Sequence, residues 1–451
     1  MRKQIPRIMI AAASSGSGKT TITCAVLKAL MERGRRPTSL KCGPDYIDTM
    51  FHSSVLGTPS TNLDLFFFDD NTAKYLLAEN ASKGDISVIE GVMGYYDGLG
   101  IDSTEASSYN VANVTGAPVI LVVNSRGAAL SVIATIKGFR EFRKDSGIKG
   151  VILNNCTRST YDVLKEAIIR EFGGEIRPLG FMPNIKDAGI ESRHLGLVTA
   201  QEIDDLNDRL ERLKEQALES LDIKGIEELA DNAPELEYEE IDLDKTADVR
   251  IAVARDRAFC FYYEDSLALL KKMGAELVDF SPLNDRELPE GISGLYLGGG
   301  YPELYTKELG GNFSMLGSIR KALEDGLPTI AECGGFMYLT ESIKGVSMVG
   351  ALKGGCSDMS RLMRFGYVTI RAKHDNMLME AGHEIAAHEF HHWDCTDTGS
   401  DFIAFKRNGR TWDAVIANDH LYAGFPHFNF YTDPDIAKNF ITKCKEYKER
   451  K

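Results

Sequence analysis

Short apolar runs alternate with longer stretches of helical spacing along most of this chain. Residues 7–13 form an apolar run that ends in a glycine-rich turn, and from 20 to 33 the residues Ile22, Val26, Leu27, Leu30 and Met31 share one helical face before Gly34. The pattern predicts strand, turn and helix. Further buried strands are expected at 86–89, 119–123 and 151–153, with helix-like segments between them. That alternation predicts a parallel sheet wrapped by helices. A second series starts with a strand at 249–254 and a helix from Glu264 to Met273. It continues with 295–297 running into Gly298-Gly299-Gly300, and 328–331 running into Cys333. The fold class expected is α/β in both halves.

Between the two series the composition shifts. Leu206, Leu210, Leu213, Ala217 and Leu221 mark an amphipathic helix, and the segment from Ala233 to Glu240 is acidic and aperiodic. Residues 204–247 therefore read as a helical and acidic linker with a solvated surface, between domains at 1–203 and 248–451. The length agrees: 451 residues, 43% hydrophobic and 26% charged, supply two cores, whereas one core stops growing at roughly 250 to 300 residues.

The net charge of −14 disfavours a nucleic-acid or anionic-membrane partner, which would need a basic stripe. An anionic substrate would then require a locally basic pocket. The eight cysteines show neither C-x-x-C metal spacing nor a dense disulfide framework, which fits a reducing cytoplasm. The positively charged start leads through a short apolar run directly into the glycine turn, not into a cleavage site. No stretch reaches the roughly 20 apolar residues of a membrane span.

The glycine turn reads Ser14-Ser15-Gly16-Ser17-Gly18-Lys19-Thr20-Thr21. A phosphate loop needs small residues so that backbone N–H groups can wrap phosphates, a lysine for the terminal phosphates, and a hydroxyl for magnesium. Ser15, Gly16, Ser17, Gly18, Lys19, Thr20 and Thr21 supply these, although Ala13 stands where the strict pattern has its first glycine. Mg2+ also takes one or two carboxylates. Two loops offer them: 41–48, with Asp45 and Asp48, and 90–98, with Glu90 and Asp97. Glu90 follows an apolar run, at the carboxyl end of a strand where open parallel sheets bind ligands. Thr20, Asp45 and Glu90 are the magnesium candidates; Asp48 and Asp97 are candidates for substrate or phosphoryl transfer.

Cys333 sits between a strand and a helix in Ala331-Glu332-Cys333-Gly334-Gly335. Such a bend exposes a nucleophile and places it at a helix N-terminus, and the amides of Gly334, Gly299 and Gly300 are natural oxyanion donors. His427 is the base favoured by context, with Asn429 able to orient its ring; His388, His391 and His392 are rivals. Those three lie in a segment, 387–394, that lacks the H-E-x-x-H spacing of a zinc helix. It reads as a strand alternating pocket and surface residues, with Glu389 or His391 toward a cavity.

With these residues in place the chain resembles the cobyrinic acid a,c-diamide synthase family, glutamine-dependent enzymes of corrin biosynthesis. The resemblance rests on 14–21, on Cys-Gly-Pro-Asp-Tyr-Ile-Asp at 42–48 with Phe51-His52, and on Glu-Gly-Val-Met-Gly at 90–94. It continues through Arg193-His194-Leu195-Gly196-Leu197, Gly-Gly-Gly-Tyr-Pro-Glu at 298–303 and Cys-Gly-Gly at 333–335. It implies an N-terminal ATPase domain similar to dethiobiotin synthetase and a C-terminal class I glutamine amidotransferase domain. By it Cys333 is the glutaminase nucleophile and His427 its base. Two departures stand out: Thr49 follows Asp48 where the family usually has proline, and the C-terminal segment reads His-Phe-Asn instead of His-x-His.

The implied reaction uses ATP to activate substrate carboxylates as acyl phosphates, and ammonia from glutamine to displace the phosphate. The implied substrate is a tetrapyrrole polycarboxylate, with Arg193, His194 and Arg364 as basic candidates around it. Ni-sirohydrochlorin a,c-diamide synthase is an alternative within the class. CTP synthase also pairs such domains, but the loops 42–48 and 90–98 speak against it. The non-enzyme alternative is a P-loop switch with an inactive appended domain.

Overall fold

The computed structural model describes residues 1–185 and 200–451, which divide into two compact units, Met1–Ile241 and Asp242–Lys451. The first unit contains a seven-stranded sheet. Its strands are β1 (Arg7–Ala12), β2 (Pro37–Cys42), β3 (Ser60–Leu63), β4 (Ile86–Glu90), β5 (Val119–Asn124), β6 (Ile148–Asn154) and β7 (Arg177–Met182). They lie in the order β3-β2-β4-β1-β5-β6-β7, and every neighbouring pair is parallel. Strand addition changes side at β1, which places a ligand crevice at the carboxyl ends of β1 and its neighbours.

Crossover helices cover both faces of a parallel sheet, so its strands read as apolar runs. This made β1, β4, β5 and β6 visible in the sequence. β2 and β3, Pro-Thr-Ser-Leu-Lys-Cys and Ser-Thr-Asn-Leu, are buried at every position yet largely polar, and periodicity gives them no signal.

The expected linker is corrected. The helices Ala200–Ser220 and Ile223–Asp231 belong to the first unit. Leu206, Leu210, Leu213, Ala217 and Leu221 join Ile8, Val26 and Val88 in one core. A leucine stripe recurring every three or four residues presents too much apolar surface to remain solvated. The boundary accordingly falls after Ile241, beyond the acidic segment.

The second unit carries a six-stranded sheet. It consists of β8 (Val249–Ala254), β9 (Ala275–Phe280), β10 (Gly294–Leu297), β11 (Thr329–Glu332), β12 (Ile416–Ala417) and β13 (Leu421–Gly424), in the order β9-β8-β10-β11-β13-β12. All neighbours are parallel except β12, which runs antiparallel to β13. A long antiparallel hairpin, Gly355–Ala372 with Glu384–Cys395, forms the centre of a separate sheet. Opposed Cys356 and Cys395 are joined across it by a disulfide, a bond that their separation of 39 residues did not announce. The alternation expected at 387–394 holds from Glu389 to Trp393, with Glu389, His391 and Trp393 buried and Phe390 and His392 exposed, whereas Ala387 and His388 before it are both buried. Among the described residues no helix is long and apolar enough to cross a membrane.

Leu210 is 1% exposed in the first core. Leu210→Ala is expected to cost about 2–5 kcal/mol in urea unfolding of the full chain, whereas a solvated linker position would change stability by less than about 0.5 kcal/mol.

Candidate active site

The phosphate loop connects β1 to the helix Lys19–Glu32, α1. Gly18 caps α1 at φ +93° and Gly16 lies at φ +74°, a left-handed region that favours glycine. A Cβ on Gly18 would also fall 2.2 Å from Nδ2 of Asn154, whose amide donates to the Ser17 carbonyl at 2.9 Å. At the start of α1 the N–H groups of Lys19, Thr20 and Thr21 precede the first intrahelical bond, Ile22 N–H to Gly18 O at 3.0 Å, and so face any anion placed there. Ser15 and Gly16 are exposed, while Ser17 is buried with its hydroxyl 3.2 Å from that of Ser14. Lys19 Nζ donates to the carbonyls of Ser14 at 3.2 Å and Met93 at 2.5 Å. Burial and the nearby Lys41 ammonium lower it to about 8, a cost that bound phosphate would relieve.

Glu90 is the last residue of β4 and fully buried. Its Oε1 accepts from the Thr20 hydroxyl at 2.6 Å and from Lys41 Nζ at 2.7 Å. Lys41, on β2, also pairs with the carboxylate of Asp48, on the helix Tyr46–Ser54, α2. Burial opposes the Lys41 charge, but Glu90 and Asp48 hold its ammonium well above the usual range. Burial pushes the Glu90 carboxyl up against the pull of Lys41, and Asp48 adds to the push. Asp45 caps α2 by accepting from Ile47 N–H at 2.8 Å; burial and then Asp48 push its carboxyl up to about 6. His52 completes the cluster, with Nε2 3.7 Å from Glu90 Oε2 and Nδ1 2.8 Å from the Ser39 hydroxyl.

Three acids, Glu90, Asp48 and Asp45, outnumber the two ammonium groups near them, Lys41 and Lys19. Oε2 of Glu90 and Oδ1 of Asp48 are buried without a hydrogen-bond partner among the described residues. These orphaned oxygens beside the Thr20 hydroxyl fit Mg2+, which is held by few protein ligands alongside water and phosphate. An all-protein cage is absent: among the described residues no three His, Cys, Asp or Glu side chains converge for a metal. Asp97 has a different position, exposed and accepting from Gly94 N–H at 2.9 Å, where it shapes the turn after Met93. Arg193 and His194 lie outside the described residues. Lys41, which joins Glu90 to Asp48, was not singled out in the sequence because its strand has no apolar pattern.

In the second unit Cys333 follows β11 directly and starts the short helix Gly334–Leu339 at φ +49°, ψ −101°. A non-glycine residue at that φ carries strain of order 1–3 kcal/mol. Its backbone is held by the Cys333 N–H bond to Gly424 O at 2.7 Å. Cys333 is 6% exposed and His427 2% exposed, so the pair is enclosed. Gly335 approaches β10 so closely that a Cβ would stand 2.2 Å from the Leu297 carbonyl. A Cβ on Gly334 would stand 3.0 Å from the Gly300 amide nitrogen, so two of the expected oxyanion donors come together. Gly299 has a further role, since its Cβ would fall 2.6 Å from Cε1 of the His427 ring.

The structure brings His427 to Cys333 and not its rivals. Burial alone would depress His427, but the neighbouring Cys333 sulfur and Glu332 carboxylate carry it up to about 10. His388 pairs with His427 through the backbone, at 2.8 and 2.9 Å, and burial with the neighbouring His427 lowers it to about 3. His391 stacks on Phe425 with ring centroids 3.9 Å apart and bonds to Glu389 at 2.9 Å. His392 is exposed. Asn429 does not orient the ring: its Oδ1 accepts from Tyr431 N–H at 2.9 Å and caps a turn. Arg364 is no free cation for a substrate, because it is paired with Glu389 at 3.3 Å and with Asp394. The ring's carboxylate neighbour is Glu332, with Oε2 3.5 Å from Nδ1.

Comparison with known proteins gives the same division. Residues 8–197 match the CobQ/CobB/MinD/ParA nucleotide binding domain, and residues 250–435 the CobB/CobQ-like glutamine amidotransferase domain. The chain is 39% identical over 450 residues to a cobyrinate a,c-diamide synthase of Caldanaerobacter subterraneus subsp. tengcongensis, covering 97% of this chain and 98% of the relative. It is 40% identical to that of Clostridium acetobutylicum, over 96% and 99% of the two chains. With that of Thermoplasma volcanium the identity is 38%, over 99% of each.

Two substitutions test the geometry. Lys41→Met leaves Glu90 and Asp48 buried without their cation, so the chain should lose about 3–5 kcal/mol in urea unfolding and ATP turnover should fall with it. Gly299→Ala places a methyl in the space of the His427 ring, and glutamine hydrolysis should fall by on the order of 10²-fold or more, measured as glutamate release.

Proposed function

Because the chain belongs to the cobyrinate a,c-diamide synthase family, we propose that it amidates the a and c acetate carboxylates of cobyrinic acid, using ATP and glutamine. The observation that carries this reading is the presence in one chain of two differently equipped sites. One has a phosphate cradle closed by Thr20, Lys41 and Glu90; the other has a cysteine on a strained bend bonded to a buried histidine.

In the second unit the Cys333 thiol proton passes to His427 before glutamine is attacked, and the thiolate of that ion pair adds to the glutamine side-chain carbonyl. The amides of Gly334 and Gly300 receive the charge on oxygen. His427 then returns the proton to the departing nitrogen, which leaves as ammonia, and water hydrolyses the thioester to glutamate.

In the first unit the N–H groups at the start of α1, together with Lys19, hold the phosphates of ATP. Thr20 and the orphaned oxygens of Glu90 and Asp48 would hold Mg2+, with Asp45, engaged as the cap of α2, adding charge beside them; the ion when bound would neutralise charge on the phosphates. The substrate carboxylate attacks the γ-phosphorus and ADP leaves, giving an acyl phosphate. Ammonia attacks its carbonyl carbon, the C–O bond breaks, phosphate leaves with the electron pair, and loss of a proton from nitrogen gives the amide. Activation is needed because oxide does not leave carbon, whereas phosphate does. Lys41 keeps Asp48 and Glu90 fixed beside the transferring group. ATP and glutamine as co-substrates support the cytoplasm as the compartment.

The purified chain with ATP, magnesium, glutamine and cobyrinic acid should give a product lighter by about 1 Da per carboxyl converted, read by mass spectrometry. Cys333→Ala should abolish glutamine-supported amidation while ammonium salts still support it. Product from Ni-sirohydrochlorin alone would reassign the substrate, and ATP hydrolysis without amidation of any tetrapyrrole acid would favour the switch.

A further inference from the structure

Glu332 lies immediately before the nucleophile and is 1% exposed. An acid at that place on an apolar strand requires partners, and each one found fixes its carboxylate relative to His427. Tyr296, on β10, donates its hydroxyl to Oε2 at 3.0 Å. The Phe428 N–H, one residue beyond His427, approaches Oε1 at 3.4 Å. Nδ1 of His427 lies 3.5 Å from Oε2. Gly299 leaves room for Cε1 and Nε2 of the ring.

We propose that Glu332 is the positioning residue of the glutaminase site, taking the orienting role that a third triad member has in cysteine and serine hydrolases. This rests on the reading of Cys333 and His427 as a glutaminase pair. With its Nδ1–H directed at Glu332, the imidazole presents Nε2 as the base, and the carboxylate stabilises the imidazolium that forms when Cys333 gives up its proton. Asn429, two residues after His427, is committed to its own turn. The orienting group therefore comes from the residue before the cysteine, and not from the segment after the histidine.

The groups facing the ring define what its titration reports. Cys333 and the Glu332 carboxylate face it, Oε2 lying 3.5 Å from Nδ1, and His388 lies beside it in the backbone bridge. The phenols of Tyr296 and Tyr422, both near Glu332, are held un-ionised by burial. The Glu332 charge raises the proton affinity of His427 against its burial. Removing that charge must lower the proton affinity of the ring.

The test is Glu332→Gln in the full chain, with the fold checked by its urea midpoint. The kcat for glutamine hydrolysis should fall on the order of 10²-fold or more, with KM for glutamine changed less than about twofold because the residue does not touch substrate. The alkaline limb of the pH profile, which reports loss of the His427 proton, should move to lower pH. Glu332→Asp should restore the limb in part. Should the glutamine variant unfold, the aspartate variant carries the same comparison with wild type. An unchanged kcat and an unchanged alkaline limb overturn the proposal. NMR titration of the His427 ring tests it independently of turnover: a lower midpoint in the variant supports it, an unmoved one overturns it. A wild-type chain that hydrolyses no glutamine would refute the functional reading, while the NMR titration would still decide the role of Glu332.

Discussion

A carboxylate buried at the end of a parallel strand needs a cation or hydrogen-bond donors, and in both units that need assembles the site. Glu90 closes β4 at 0% exposure and Glu332 closes β11 at 1%. Taking such a charge out of water costs several kcal/mol per ion, far above the roughly 0.5–1.5 kcal/mol net gain of an ordinary hydrogen bond. One partner is not enough. Glu90 therefore gathers Thr20 from the phosphate loop and Lys41 from the neighbouring strand, and Glu332 gathers Tyr296, the Phe428 amide and His427. In each case the partners come from separate segments of the chain, so one buried acid fixes their relative positions.

The two acids are satisfied to different degrees, and the difference follows their chemistry. Around Glu332 donors occupy both oxygens, an arrangement suited to a group that holds one geometry throughout a reaction. Around Glu90 one oxygen has no hydrogen-bond partner among the described residues, and Asp48 and Asp45 add charge that exceeds what Lys41 and Lys19 supply. Such a frustrated cluster is unfavourable in the free protein, and a dication placed there would relax it. Under the proposed reaction the stability forgone there would be matched by the demand of phosphoryl transfer for positive charge next to the nucleotide.

Much of this was legible in the sequence, for specific reasons. The phosphate loop announces itself because Gly16 and Gly18 occupy left-handed conformations that few other residues tolerate, directly after an apolar strand. Glu90 was singled out because it ends such a run. Cys333 was singled out because glycines follow it, and one of them is demanded by contact, Gly335 against Leu297, as is Gly299 of the earlier glycine loop against the His427 ring. Lys41 was not found, since β2 buries polar residues that periodicity does not mark. The stripe from Leu206 to Leu221 was read correctly as a helix and wrongly as solvated, because the acidic composition beyond it outweighed a pattern that itself demanded cover. Glu332 escaped because strand periodicity assigns faces but not partners, and its partner lies 95 positions away in the chain, at His427.

The departure His-Phe-Asn at 427–429 follows from the same electrostatics. An asparagine can orient an imidazole but adds no negative charge, and a buried imidazolium without a counterion is as costly as any other buried ion. With a carboxylate already present on β11, a second one after the histidine would place two acids around one ring. Like charges so close raise each other's pKa and weaken both as partners. A neutral residue at 429 is therefore the arrangement that Glu332 permits. The amide then serves the backbone, receiving the Tyr431 N–H and capping the turn that follows the base.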